Sequence, residues 1–225
     1  MKKARQKIIS IIEALRVKLG YGWPVLFTFV YFAWFILLER YEADEYFILY
    51  CPIDDMIPFC EYFIIFYASW FIYIPVVFFF FFKKSKEEFY RLSSYMFAGM
   101  FISLFVCTVF PNAQELRPEP ENDNIFTRLV IFLYGIDTNT NCFPSVHVFN
   151  SIAAHVCIVK SSYIKKGHPV KWMSFVLIVL ICLSTLFLKQ HSVIDLAGGA
   201  LLAAILYVII FKIVYRNMED KPQAN

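Results

Sequence analysis

Charge is scarce in this chain. Only 17% of its 225 residues are Asp, Glu, Lys or Arg, against about a quarter in an average soluble domain. Metal-binding spacings are missing too. No Cys-x-x-Cys pair occurs among the six cysteines, and no cluster of carboxylates could hold a hard cation. There is no internal repeat and no long linker, so a single domain over residues 1–225 is expected. The basic start, residues 1–7, is not followed by a short apolar core with a small-residue cleavage site. Glu13, Arg16 and Lys18 lie inside the next stretch, so a cleaved signal is not expected. A net charge of only +3 gives no reason to expect a nucleic-acid partner.

Apolar residues fill the space that charge leaves. They make up 60% of the chain, aromatics alone make up 20%, and the mean hydropathy is +0.60. Six runs approach the roughly 20 residues that a membrane span needs. They fall near 22–38, 59–82, 93–110, 145–160, 171–188 and 193–215. The expected fold is therefore all-α, a polytopic six-helix bundle whose first partner is the lipid bilayer. The fourth run holds Asn150, Ser151 and His155, which a helix facing its neighbours tolerates better than one facing lipid. The run Phe78 to Phe82 reads as lipid contact.

Lysine and arginine bias sets the orientation. The N-terminal arm, Lys83 to Lys86, and the turn from Lys160 to Lys171 are basic, and they alternate with acidic segments at 39–61 and 111–124. Both termini are expected in the cytoplasm. Lys189 is the one basic residue that breaks the pattern. Residues 5–19 read as an amphipathic arm on the inner surface, or alternatively as a solvated basic tail. The external loop 111–144 is long enough to be functional, and 125–134 within it reads as an interfacial helix ended by Gly135. Cys51 and Cys60 share the first external loop, where a disulfide is open in an oxidising compartment.

Three polar clusters then fall on one expected face of the membrane. His191 and Asp195 are four apart and would share a helix face, with the carboxylate holding Nδ1 and leaving Nε2 to attack. A structural hydrogen bond explains such a pair equally well. Pro144, Ser145, Val146 and His147 open the fourth span. The amides of Ser145 and Val146 would lie at the positive end of a helix, with His147 placed to protonate a leaving oxygen. Taken alone, this is a helix start that contains a histidine. Arg117 follows the third span and could fork onto a phosphate, or simply sit among headgroups.

In order, spacing and sidedness, the three clusters resemble the motifs of the type 2 phosphatidic acid phosphatase family, which is related to the vanadium haloperoxidases. That family's motifs are Arg-Pro after the third span, Pro-Ser-Gly-His at the fourth, and Ser-Arg, five residues, His, three residues, Asp. The resemblance implies His191 as a nucleophile forming phosphohistidine, Asp195 as its orienting carboxylate and His147 as the general acid. It implies Arg117 and Ser145 as phosphate ligands, beside the Val146 amide read from the helix start, with no metal or other cofactor. The implied activity is hydrolysis of a lipid phosphate, from a phospholipid or a polyprenyl phosphate, at the extracytoplasmic face of a bacterial plasma membrane. A headgroup phosphotransferase resembling inositol phosphorylceramide synthases is the alternative, and a non-enzymatic lipid-binding or transport protein is a third.

Three positions depart from the family's pattern. Phe110 stands where a lysine precedes the Arg-Pro, Val146 replaces the glycine, and Thr185 replaces the arginine after Ser184. Lys189 lies four residues past Thr185. It would supply the missing charge if the fifth helix continued that far, and Gln114 would be a neutral donor in place of the lysine. His155 reads as a packing residue and His168 as a solvated one.

Overall fold

A computed structural model describes residues 17–119 and 122–215. Five helices are long and apolar enough to cross a membrane: Val17–Glu39, Glu61–Lys84, Lys86–Val109, Pro169–Phe187 and Val193–Val214. The protein is mostly helical and an integral membrane protein. The arm expected over 5–19 lies outside the described residues except for 17–19, which are helical.

The helices are α1 (Leu26–Glu39), the short α2 (Pro52–Met56), α3 (Ile64–Lys84), α4 (Lys86–Val109), α5 (Ile125–Ile136), α6 (Val146–Lys160), α7 (Pro169–Phe187) and α8 (Val193–Tyr207). A π-helical turn, Val208–Val214, extends α8. Among the described residues five helices meet the length requirement, against the six expected spans. The fourth expected span is α6, whose 15 residues rise about 22 Å, short of the roughly 30 Å of a hydrocarbon core.

Local chemistry explains where the helices start. Ser85 Oγ accepts from the Glu88 amide at 3.3 Å to cap α4, and Asn124 caps α5 by accepting from Phe126 and Thr127 at 2.9 and 3.0 Å. His168 caps α7 through Nδ1, with Pro169 in the first turn. It is exposed, as a solvated turn residue should be. Lys83 and Lys84 end α3, where positive charge suits the helix dipole. Gly135 does not end α5; the helix runs on to Ile136 and closes at Asp137.

The core joins α3, α4, α6, α7 and α8 through Phe81, Phe89, Leu92, Tyr95, Phe149, Ile181 and Leu206. Glycines set two of the closest approaches. A methyl group on Gly99 would lie 1.9 Å from the Phe149 ring, and one on Gly199 would lie 2.6 Å from the Ser145 carbonyl oxygen. Gly199 thus lets α8 sit against the first turn of α6. The phenylalanine run is not uniform lipid contact. Helical rotation buries Phe81 in the core and leaves Phe79 63% exposed. Phe29, Ile72, Trp172 and Leu201 cover the outside, as a lipid-facing surface requires.

One end of the bundle gathers the loops. Phe47 and Ile48 (β1) pair in parallel with Asn112 and Ala113 (β2), and Ala113 also bridges to Thr140. Glu39 at the end of α1 accepts from Thr138 Oγ1 at 2.6 Å and Asn141 Nδ2 at 3.2 Å. Helix α5 packs beside Ile64, Tyr67 and Leu188 at the same end. The lysines at 83–86 and 160–171 lie at the opposite helix ends. All six cysteines are free thiols, Cys51 and Cys60 included.

Candidate active site

The polar clusters meet at the looped end. The ring centroids of His147 and His191 are 5.8 Å apart. Both histidines sit where helices begin: His147 in the first turn of α6, His191 just ahead of α8.

His191 is not on a helix, so its contact with Asp195 is not the expected pairing along one helical face. Ser192 caps α8, and Asp195 is the third residue in. Asp195 Oδ2 accepts from the Ser192 amide at 2.9 Å, completing a capping box, and lies 3.3 Å from His191 Nδ1. One oxygen therefore serves both the helix start and the imidazole. With Nδ1 facing Asp195, Nε2 is the nitrogen left for chemistry. Asp195 Oδ1 is buried and has no partner among the described residues.

His147 packs against two aromatic rings of α3. Its centroid lies 4.6 Å from that of Tyr67 and 4.5 Å from that of Trp70. The Tyr67 hydroxyl in turn donates to Asp137, just beyond α5. Nothing in the sequence singled out Tyr67, Trp70 or Asp137, because aromatics on an apolar helix read as core or lipid contact.

Ser145 caps α6 through Oγ, 3.4 Å from the Val148 amide. Its own amide is not open to an anion, since it donates to the Asp195 carbonyl at 3.2 Å. That bond ties the start of α6 to the start of α8. Val146 and His147 occupy the first turn, where amides lack intrahelical acceptors.

Arg117 is held in place by protein acceptors. Its guanidinium donates to the carbonyls of Tyr134 at 3.2 Å and Asp137 at 2.6 Å and to Gln190 Oε1, and it stacks 4.3 Å from the centre of the Tyr134 ring. Burial lowers its pKa from the usual value, and the nearby Asp137 carboxylate opposes that shift. Nε is buried and has no partner among the described residues.

Lys189 is placed differently from expectation. Helix α7 ends at Phe187, and Lys189 takes a left-handed backbone with φ 53°. It shares no helix face with Thr185. Its ammonium donates to the Asp54 carbonyl at 2.6 Å. Gln114 is likewise engaged: Nε2 donates to the Lys189 carbonyl at 2.8 Å, and Oε1 accepts from the Leu116 amide at 2.6 Å. Phe110 is 40% exposed and packs against Phe47, and Thr185 is buried with its hydroxyl on the Cys182 carbonyl.

One donor set in the site could meet a metal ion. Cys142 Sγ, the His191 imidazole and the Asp195 carboxylate offer ligand atoms within 4.8 Å of one another. Burial raises the Cys142 pKa well above the usual thiol range, and the neighbouring carboxylates add to the rise, so this sulfur stays protonated unless a cation displaces the proton.

The sequence model of the PAP2 superfamily matches residues 92–219. This chain belongs to the PAP2 superfamily. No curated protein and no solved structure matches it. The PAP2 match covers Arg117, Ser145, Val146, His147, Lys189, His191 and Asp195, and it bears out the resemblance to the type 2 phosphatidic acid phosphatases. PAP2 membership supports a phosphatase-type enzyme. Asp54, Tyr67 and Trp70, which touch this site's residues, precede the matched region. His155, deeper in α6, shares a hydrogen bond with Ser174 Oγ at 2.9 Å and is a packing residue.

Proposed function

We propose that this protein hydrolyses a lipid phosphate or diphosphate through a phosphohistidine intermediate, without a metal. The observation that supports it most is the meeting of His147 and His191, one packed against aromatic rings and the other backed by Asp195. His191 Nε2 bonds to phosphorus as the bond from phosphorus to the lipid oxygen breaks. His147 gives its proton to the departing oxygen. Water then attacks phosphorus, its proton passes to His147, the nitrogen–phosphorus bond breaks, and phosphate leaves.

Arg117 and the first-turn amides of Val146 and His147 would neutralise charge on the phosphoryl oxygens. Ser145 would act through its hydroxyl, since its amide is taken. Lys189 would contribute positive potential from behind the nucleophile's turn rather than from the face of α7. On this reading six spans cross the membrane, with α6 as the short one lying among its neighbours. The basic loops face the cytoplasm, as do both termini, and the histidines face outward in a bacterial plasma membrane. The substrate is a phospholipid or polyprenyl phosphate whose tails lie among the helices.

The test is phosphate release by purified protein from phosphatidic acid, phosphatidylglycerol phosphate and a polyprenyl diphosphate, in excess chelator. Activity is expected to persist in chelator and to vanish in His191→Ala. A fully active His191→Ala variant overturns the mechanism. Adding alcohols with a labelled lipid separates the two acceptors: free phosphate marks hydrolysis, and a lipid with a new headgroup marks transfer.

A further inference from the structure

The turn that holds His191, residues 188–192, has no regular structure of its own. Its shape is imposed by its neighbours. From within, the Gln190 and His191 amides donate to the Thr185 carbonyl at 2.9 and 3.1 Å. From one side, Gln114 holds the Lys189 carbonyl. From the other side comes the first loop, more than 130 residues earlier in the chain.

That loop grips the turn at three levels. The Cys60 amide donates to the Phe187 carbonyl at 2.9 Å, at the end of α7. The Asp54 carbonyl takes the Lys189 ammonium at 2.6 Å. The Asp54 carboxylate takes the start of α8: Oδ2 accepts from Ser192 Oγ at 2.6 Å and Oδ1 from the Val193 amide at 2.8 Å. Oδ2 also accepts from the Cys51 amide at 2.8 Å, so the loop's own backbone fixes the carboxylate. Asp54 is 2% exposed and Ser192 is fully buried. A buried carboxylate is costly unless its hydrogen bonds are satisfied, and two of the three that Asp54 accepts, from Ser192 and Val193, hold the start of α8.

The chain of contacts reaches the nucleophile. Asp54 fixes Ser192, the Ser192 amide donates to Asp195 Oδ2, and that same oxygen meets His191 Nδ1. We infer that Asp54 is a positioning residue for His191, acting through Ser192 and Asp195, and that the first loop completes an active site whose recognised family region begins only at residue 92. The inference rests on the reading of His191 as the nucleophile.

Three variants, Asp54→Ala, Asp54→Asn and Ser192→Ala, test it alongside His191→Ala in the phosphate-release assay. Asp54→Ala is expected to lower kcat on the order of 10- to 100-fold, with KM changed far less, because an ångström of misplacement has that effect on a reacting group. Asp54→Asn is expected to recover part of the loss. Ser192→Ala is expected to fall near Asp54→Ala, and the double variant to be no slower than Asp54→Ala, since both break one path. A second readout does not depend on turnover. The ring 15N signals of His191, assigned by their loss in His191→Ala, are expected to shift in Asp54→Ala and to return towards wild type in Asp54→Asn. Unchanged kcat and unchanged ring signals in a folded Asp54→Ala protein overturn the inference while leaving the proposed reaction intact. An active His191→Ala protein overturns the reaction, and the ring signals alone then decide whether Asp54 positions His191. If Asp54→Ala does not fold, Lys189→Met and Ser192→Ala break the same grip with the carboxylate in place, and full kcat with unmoved ring signals in both overturns the inference.

Discussion

The indole of Trp70 lies 4.5 Å, centroid to centroid, from the imidazole of His147, and the Tyr67 ring lies 4.6 Å from it. An imidazole packed against two rings has less freedom to rotate, which suits the proton transfer proposed for His147. Trp70→Ala is expected to lower turnover roughly tenfold through loss of that orientation. The deficit should depend on the leaving group. It should be large with an alkyl phosphate and small with p-nitrophenyl phosphate, whose phenolate departs without a proton. His147→Ala should show the same pattern, more strongly. Equal losses on both substrates would separate Trp70 from proton transfer.

Arg117→Lys keeps the charge and removes the fork. A lysine cannot donate at once to the Tyr134 and Asp137 carbonyls and to Gln190 while stacked on Tyr134. A fall in kcat/KM on the order of 100-fold is expected, about 3 kcal/mol of transition-state stabilisation. Steady-state kinetics on one lipid phosphate measures it. Parity with wild type would mean that charge alone is needed there.

Gly199→Ala targets the contact between α8 and α6. The added methyl would sit 2.6 Å from the Ser145 carbonyl oxygen and 3.1 Å from Val148 Cβ. Neither neighbour is the end of a flexible side chain, so the helices must part. A loss of about 1–3 kcal/mol in stability is expected. Activity should fall as well, because the Ser145 amide bond to the Asp195 carbonyl spans the same contact. A thermal melt in detergent beside an activity assay checks both, and an unchanged melt would refute the close packing.

Sidedness is open to direct labelling. In a cysteine-free background, Asp123→Cys and Ser162→Cys place thiols at exposed positions at opposite ends of the bundle. A membrane-impermeant thiol reagent applied to intact cells should label position 123 and spare 162. The reverse result would turn the protein over and place the histidines in the cytoplasm.

Much of this architecture is legible one residue at a time. Long apolar runs set the spans, and most boundaries fall within two residues of the helices found, although the first helix starts five residues earlier, at Val17, and the third seven earlier, at Lys86. Ser145 and Ser192 each cap the helix that follows them. The histidines 44 positions apart (191 − 147) needed only one helix down and one back to share an end of the bundle. Lys189 shows where such reading stops. Spacing of four predicts one helix face, yet the helix ends two residues earlier, and a one-dimensional pattern does not register a left-handed residue there. The length of α6 is a second case, since apolarity alone did not separate a 15-residue helix from a full span.

The sequence by itself determined the membrane class and the family, and it marked the two histidines, Asp195 and Arg117 as candidates. Each of these depends on local composition or on fixed spacing along the chain. Only the tertiary structure decided which groups hold them. Asp54, Tyr67, Trp70, Gln114 and Asp137 come from other loops and helices, and an acidic loop residue or a ring on an apolar helix has no periodicity that marks its partner. Hydrogen bonds and ring contacts between segments form only when the bundle closes. The physical reason is distance: chain separation says nothing about the few ångströms across which a carboxylate orients a turn.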